Sequence, residues 1–242
     1  MDNGKTQILV LVEGGKTDVK LMRHLLTVYG ISQNHEIISY NTNIYELYNH
    51  MFRDEDPNTI DFLQLLKEHE NDPAKKPIFD RNYSDILLIF DLDPQDPQFS
   101  PAKIGEMADF FVESSDMGKL YLNYPMVEAF YHMRSIPDKD YEGYSASLQE
   151  LREKAYKARV QRENRDHDYR KFAVSRDECS IVIRQNIAKA CHLVGYKPAS
   201  DGMPEGRTIL DAELTLLSEA ERVSVLCTCA FYIWDYNPNL LA

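Results

Sequence analysis

The stretch QILVLVEGGKTD, at residues 7–18, decides the predicted fold class of this chain. Residues 7–12 form an apolar run of strand length, which is typical of a parallel strand that is buried on both faces. The run ends at the glycine-rich turn 13–15, and from Thr17 apolar residues recur at helical spacing until Gly30 provides a stop. The sequence therefore predicts a strand, a tight turn and a helix.

A second run, DILLIF at residues 85–90, repeats this pattern and ends in Asp91-Leu92-Asp93. The same reading predicts two further strands, at 36–40 and 119–123. Helices are predicted between and after these strands, at 44–52, 60–67, from 104 to 111, and at 126–133, with a loop over 68–81. Alternating strands and helices indicate a parallel sheet with helices on both faces.

Beyond about residue 136 no comparable alternation of strands occurs, and the pattern is helical. Helices are predicted at 146–163, 176–194 and 212–234, with a Gly/Pro-rich break over 195–206. We therefore predict an α/β domain over residues 1–135 and a helical carboxyl-terminal region over residues 136–242.

Composition restricts the class of protein. With 242 residues and 43% hydrophobic content, the chain can bury a core of ordinary size. The amino terminus, residues 1–7, is polar, and no apolar run reaches the length that spans a bilayer. Four cysteines without a secretory leader are typical of reduced thiols. These features predict a cytoplasmic protein without a membrane partner, in which Cys227 and Cys229 are buried core thiols.

Charge is distributed unevenly along the chain. The net charge of −12 has the wrong sign for a protein that coats nucleic acid, yet the segment 152–176 holds nine Lys or Arg against four Asp or Glu. Within it Arg159, Arg162 and Arg165 recur at three-residue intervals, so they could follow a phosphate backbone from one side of a helix. The alternative is a solvated charged helix face.

Acidic residues lie at the predicted strand ends. Glu13 follows the first strand, Asp91 and Asp93 follow the third, and Asp18 falls in the first turn of a helix. Since ligands of open parallel sheets bind beyond the carboxyl ends of the strands, these carboxylates are expected to form one cluster. A hard divalent cation, Mg²⁺ or Mn²⁺, would relieve their mutual repulsion. The alternative interpretation is helix caps and solvated loop residues.

The turn Gly14-Gly15-Lys16-Thr17 also suggests a phosphate-binding P-loop, but its spacing excludes that motif. A P-loop needs a glycine five positions before Gly15, and that position holds Val10, inside the predicted strand.

Two short motifs together resemble the TOPRIM domain: Val12-Glu13-Gly14 with Thr17-Asp18, and the apolar strand that ends in Asp91-Leu92-Asp93. This domain occurs in topoisomerases, primases, OLD-family nucleases and small nucleases of bacterial phage defence. The resemblance covers about residues 6–135 and implies a TOPRIM-type, Rossmann-like sheet. No zinc module, topoisomerase tyrosine context or ATPase domain accompanies it, so DNA relaxation and primer synthesis are not expected.

The resemblance also implies roles for individual residues. Glu13 would act as general acid or base, Asp91 and Asp93 would hold Mg²⁺ or Mn²⁺, and Asp18 would contribute to a second metal site, as in OLD-like nucleases. The segment from Asn123 to His132 resembles the Asn-Pro…Glu segment of RloB-like defence proteins, with Tyr124 inserted, which makes Glu128 a further candidate metal ligand. His132 is expected to be structural. Lys119 is a candidate phosphate contact or a solvated lysine.

These features lead us to expect a metal-dependent endonuclease that hydrolyses DNA or RNA, an antiviral effector restrained or activated by a separate protein such as an ATPase. A homo-oligomer is compatible with the sequence. Two other classes stay open: a partner-gated binding module that cuts nothing alone, and an enzyme that transfers phosphoryl groups on nucleotides. Cleavage of polymers, complex formation without cleavage, or turnover of small phosphate compounds would distinguish the three classes.

Overall fold

The computed structural model describes residues 7–53, 56–115, 117–197 and 202–241. The polar residues 1–6, two residues of the acidic turn, 54–55, and part of the Gly/Pro-rich break, 198–201, lie outside the described residues.

The centre of the fold is a four-stranded parallel sheet with the strand order β2-β1-β3-β4. The strands are β1 (Ile8–Val12), β2 (His35–Ser39), β3 (Asp85–Asp91) and β4 (Lys119–Asn123). All five residues of β1 are buried, as are the last six of β3, because both strands lie inside the sheet with helices on both faces. The register pairs Val12 with Ile89, and Asp91 with Asn123.

Four helices connect these strands: α1 (Thr17–Val28), α2 (Ile44–Phe52), α3 (Phe62–His69) and α4 (Pro101–Phe110). Helix α1 buries Leu21, Met22, Leu25 and Leu26 against the sheet, and the chain leaves it through Gly30 at φ +71°. The predicted loop over 68–81 contains a 3₁₀ helix, Lys76–Asp80. The α/β architecture with a parallel sheet is thus confirmed for the described residues.

The carboxyl-terminal region is largely helical, with the elements α5 (Leu148–Arg152), α6 (Tyr156–Glu163), α7 (Arg176–Val194), α8 (Gly206–Ala220) and α9 (Tyr232–Tyr236). It packs directly against the edge strand β4. Tyr124 and Leu226 exchange two backbone hydrogen bonds of 2.8 Å, and the Thr228 hydroxyl donates to the Leu122 carbonyl at 2.6 Å.

Two predicted long helices are interrupted by a small antiparallel sheet of β5 (Ser145–Ser147) and β6 (Arg222–Ser224). The predicted helix 146–163 is wrong at its start, where β5 is followed by α5, and it breaks at Lys154, which has φ +56°. The predicted helix 212–234 ends at Ala220, because Glu221 adopts φ +50° and leads into β6.

The predicted helix over 126–133 is instead a 3₁₀ helix, Val127–Tyr131. Its five side chains are all buried, so it has no solvated face and differs from an amphipathic α-helix. It begins after the three residues that follow β4, and it packs against α1 and α6. None of the helices in the described ranges is both long enough and apolar enough to cross a membrane.

Candidate functional site

Glu13 and Asp91 meet at the carboxyl edge of the sheet because their strands are neighbours. The β1–β3 ladder continues through the Glu13 backbone, whose N–H donates to the Ile89 carbonyl at 3.1 Å. The Glu13 carboxylate then turns across to β3, and its Oε2 accepts the Asp91 backbone N–H at 3.1 Å. The two predicted site residues are therefore in direct contact.

Asp91 is held firmly on one side. Its Oδ1 accepts hydrogen bonds from the side-chain amide of Asn123 at 3.2 Å and from the backbone N–H of Val127 at 2.9 Å. Asn123 is itself fully buried, and its Oδ1 accepts the Cys229 N–H at 3.2 Å. The orientation of the Asp91 carboxyl is thus fixed by β4 and by the 3₁₀ helix that follows it.

Asp93 lies two residues further on, where the chain turns away from the sheet. It has a left-handed backbone, with φ +41°, and its N–H donates to the Pro125 carbonyl at 3.3 Å. Asp93 Oδ1 accepts the Gln95 side-chain amide at 2.9 Å. A non-glycine residue in this conformation costs free energy, and such strained residues are often found at functional sites.

Asp18 enters the same cluster from the first turn of α1, and a glycine makes room for it. A Cβ atom at Gly14 would lie 2.5 Å from Asp18 Oδ2. The other oxygen, Oδ1, is buried and has no hydrogen-bond partner. Gly14 is therefore needed because the Asp18 carboxylate approaches it closely. Oδ1 of Asp18 is left available for a ligand.

Glu128 completes the set from the 3₁₀ helix after β4. Its side chain is 4% exposed. Its Oε1 lies 3.1 Å from Nζ of Lys157, and its Oε2 is buried without a hydrogen-bond partner. We refer to the five carboxylates as the acidic edge cluster: Glu13, Asp18, Asp91, Asp93 and Glu128.

Burial and mutual repulsion raise the proton affinity of this cluster. Desolvation, followed by the Asp93 carboxylate, raises the pKa of Glu13 from 4.5 to about 8. Desolvation, with a contribution from Glu128, raises the pKa of Asp18 to about 6. Desolvation raises the pKa of Asp91 well above its ordinary value, and that of Asp93 is raised as well. Such shifts at a sheet edge are typical of functional sites.

Lys157, on α6, is a functional candidate that sequence reasoning missed. Desolvation opposes its charge, but the carboxylates of Glu128, Asp91 and Asp93 together raise the pKa of its ammonium. In the sequence it is one of nine cations in the segment 152–176. The contact between Lys157 and Glu128 depends on how α6 packs in the fold. The spacing of residues in the sequence does not indicate that packing.

Helix α6 is fixed in place by His132. This imidazole is 1% exposed and forms hydrogen bonds with the Tyr156 hydroxyl at 3.3 Å and with Glu163 Oε2 at 3.2 Å. The two partners are the first and last residues of α6. The prediction that His132 is structural agrees with these contacts, and its position explains how Lys157 reaches the cluster.

Lys119 does not join the site. It begins β4 and therefore lies at the amino edge of the sheet, opposite the cluster, where its Nζ is 2.6 Å from Asp235 Oδ2. A helical stripe of arginines is also not formed, because α6 ends at Glu163 and Arg165 lies beyond it, paired with Asp166 and Glu178.

The other two arginines differ in exposure. Arg159 donates to the Ser145 carbonyl and pairs with Glu150 at 3.1 Å, so its charge is largely used within the fold. Arg162 has a side chain that is 68% exposed, with Glu163 at 3.6 Å. Of the predicted phosphate contacts, Arg162 is the most accessible to a polymer.

Donor chemistry at the cluster suits a hard cation, although no finished coordination sphere exists. Within the described ranges, no three His, Cys, Asp or Glu side chains are arranged to hold a metal ion as they stand. What fits is the all-oxygen donor set and the two buried oxygens without partners, Asp18 Oδ1 and Glu128 Oε2. These two residues, with Glu13, Asp91 and Asp93, are the ones that could hold Mg²⁺ or Mn²⁺.

The two cysteines near the site do not supply metal ligands. Cys227 and Cys229 are fully buried in the core, with their sulfur atoms 3.3 Å apart, as predicted. The hydrogen bond with the Cys227 thiol, followed by burial, raises the pKa of Cys229, so the thiolate form is disfavoured.

Comparison of the chain with known proteins found no matching family model, no matching curated protein and no matching solved structure. The chemistry of the acidic edge cluster is therefore inferred from its own residues and geometry.

Proposed function

We propose that this chain is a metal-dependent endonuclease that hydrolyses phosphodiester bonds of DNA or RNA at the acidic edge cluster. One observation carries the proposal: five carboxylates converge beyond the carboxyl ends of β1, β3 and β4, with two buried oxygens unpartnered. A fold does not maintain such repulsion for stability, because uncompensated buried carboxylates are costly. The arrangement favours chemistry on a phosphate.

Each side chain has a role in this proposal. Asp91, oriented through its Oδ1, would hold Mg²⁺ or Mn²⁺ together with Asp93, and Asp18 and Glu128 would supply further carboxylate oxygens. A bound divalent cation would supply Lewis-acid polarisation of the phosphate. Glu13, with a pKa of about 8 that metal binding would lower, holds or releases a proton near neutral pH and so suits a general acid or base for the attacking water.

Substrate contact would depend on few cations, since the chain carries a net charge of −12. Lys157 at the cluster and Arg162, five residues later, are both largely exposed, and both lie on α6. They offer a short basic approach for one stretch of phosphate backbone. A protein with this balance of charge would bind nucleic acid weakly outside the site.

The finer identity of the fold and its context are part of the same proposal. The strand-end motifs support a TOPRIM-type domain of the kind used in phage defence, with a cytoplasmic effector role. A separate activating or restraining protein, such as an ATPase, and assembly into a homo-oligomer are the partners that this proposal includes.

A cleavage assay tests the proposal. Wild type and Glu13→Gln would be incubated with labelled single-stranded DNA, duplex DNA and bulk tRNA, in Mg²⁺, Mn²⁺ or EDTA. We expect cleavage that requires the metal and falls at least 100-fold in the variant. Cleavage that persists in EDTA or in Glu13→Gln would reject the site, and turnover of mononucleotides without polymers would favour phosphoryl transfer on nucleotides.

A further inference from the structure

Lys157 is a cation at the acidic edge cluster, paired with Glu128, and its placement affects how many metal ions the site can bind. We propose that the Lys157 ammonium takes the place of a second divalent cation, so that the site binds one metal ion rather than two. This inference depends on the proposed function for its chemistry, but its main measurement does not require cleavage.

The position of Lys157 is enforced by its helix. His132 bonds to Tyr156, the residue directly before Lys157, and to Glu163 at the other end of α6. The backbone from which Lys157 extends is thus anchored to the residue that directly follows the 3₁₀ helix carrying Glu128. A lysine fixed at its base and ion-paired at its tip costs less entropy to hold in place than a free surface lysine.

The Lys157 ammonium is paired with Glu128 Oε1, a carboxylate oxygen that a second metal ion would need as a ligand. Sites with two metals place the ions about 3.5–4 Å apart, each on several carboxylate oxygens. Asp91 and Asp93 make up one half of this donor set, and the neighbouring carboxylates Asp18 and Glu128 make up the other. Because Nζ of Lys157 is 3.1 Å from Glu128 Oε1, the second half already contains a positive charge.

One ammonium compensates that half only in part. Asp18 Oδ1 and Glu128 Oε2 are buried without hydrogen-bond partners, while Lys157 contacts Glu128 Oε1. Removal of the ammonium would therefore leave three free oxygens on two neighbouring carboxylates. That set, in a desolvated place, is a latent site for a second divalent cation.

The Lys157 ammonium also has hydrogen-bond donors that its contact with Glu128 does not use. Nζ carries three N–H groups, and its side chain is 63% exposed, so it can contact a substrate phosphate while it is paired with Glu128. In this position Lys157 would stabilise negative charge that develops on the phosphate, which is a task that a second metal ion otherwise performs.

Calorimetric titration of the full chain with Mn²⁺ tests the stoichiometry. We expect one ion per chain for wild type, two for Lys157→Met, one for the charge-retaining Lys157→Arg, and one for the matched exposed control Lys154→Met. Glu128→Gln combined with Lys157→Met should bring the number back to one. Two ions in wild type, or one in Lys157→Met, would overturn the inference; if the methionine variant does not fold, Lys157→Gln gives the same measurement.

Cleavage provides a second and separable readout. We expect Lys157→Met to cut roughly 100-fold more slowly at low Mn²⁺, and excess Mn²⁺ to restore part of the rate as it fills the vacated half of the site. If the stoichiometry changes as expected but no variant cuts any polymer, the metal inference stands and the nuclease proposal fails. If wild type cuts but binds two ions, the reverse holds.

Discussion

The side-chain amide nitrogen of Asn123 lies 3.2 Å from Oδ1 of Asp91, and this contact joins the candidate site to the carboxyl-terminal region. The amide oxygen of Asn123 accepts the Cys229 N–H, so one fully buried side chain connects the end of β3 with the segment after β6. Since Val127 also donates to Asp91 Oδ1, the remaining oxygen, Oδ2, is the one left for a ligand.

Replacement of Asn123 by alanine should lower both stability and metal affinity. The change leaves the Cys229 N–H without its partner and removes one of two donors to Asp91, so we expect the free energy of unfolding to fall by about 1–3 kcal/mol. Urea denaturation measures this, and Mn²⁺ titration measures the affinity. Asn239→Ala, at an exposed position, is the control and should change stability by less than about 0.5 kcal/mol. Equal effects in both variants would contradict the role of Asn123.

The glycine of the first turn should be required only while Asp18 keeps its carboxylate. Gly14→Ala places a methyl group 2.5 Å from Asp18 Oδ2, and we expect a loss of about 1–3 kcal/mol in the free energy of unfolding. In an Asp18→Ala background the same substitution should cost much less, because the clashing atoms are gone. A double-mutant cycle by denaturant unfolding measures the coupling, and additive effects would show that the contact does not restrict this position.

The sheet and its site edge could be predicted because their signals are local. Strand β1 and the buried part of β3 appear as apolar runs, and each run is followed by an acid, so Glu13, Asp91 and Asp93 could be placed on one edge by the geometry of parallel strands. Parallel neighbours then require those carboxylates to meet. The structure brings them together with Asp18 and Glu128, as predicted.

Other features are set by tertiary contacts that the sequence does not report. The strands β5 and β6 have three residues each and are too short for a period of two to be detected. Lys119, a candidate phosphate contact or a solvated lysine from its sequence, is the first residue of β4 and hence lies at the opposite edge of the sheet. Lys157 could not be distinguished from neighbouring cations in the sequence, because its contact with Glu128 depends on the hydrogen bonds by which His132 holds both ends of α6.

Stability without divalent cations should fall as pH rises, and Glu13 should account for part of the fall. Burial and Asp93 raise its pKa in the folded chain to about 8, against 4.5 as the ordinary value. The folded state therefore binds this proton more tightly than the unfolded state, so the contribution is fully present below pH 4.5 and is lost as pH rises through about 8. Glu13→Gln mimics the protonated form.

Urea denaturation in EDTA at pH 5, 6.5 and 8 checks this dependence. The free energy of unfolding of wild type should decrease more steeply than that of Glu13→Gln, and the two should differ most at pH 8. Glu219→Gln, at an exposed position on α8, should follow wild type. Parallel curves for wild type and Glu13→Gln would mean that the proton on Glu13 is not linked to folding. When Mn²⁺ is added in place of EDTA, it should stabilise wild type most at pH 8, where the carboxylates are ionised.

Lys119→Ala should leave nucleic-acid cleavage unchanged, in contrast to Lys157→Ala. Lys119 lies at the amino edge of the sheet and pairs with Asp235 at 2.6 Å, with both side chains partly exposed. Such a pair contributes about 0.2–1 kcal/mol to stability, so the variant should remain folded. We expect its cleavage rate and its affinity for labelled DNA or tRNA to stay within about twofold of wild type. The charge removed is distant and already paired, so its loss affects neither the acidic edge cluster nor Lys157 and Arg162 on α6. A loss of cleavage in Lys119→Ala that matches the loss in Lys157→Ala would show that the substrate extends across both edges of the sheet.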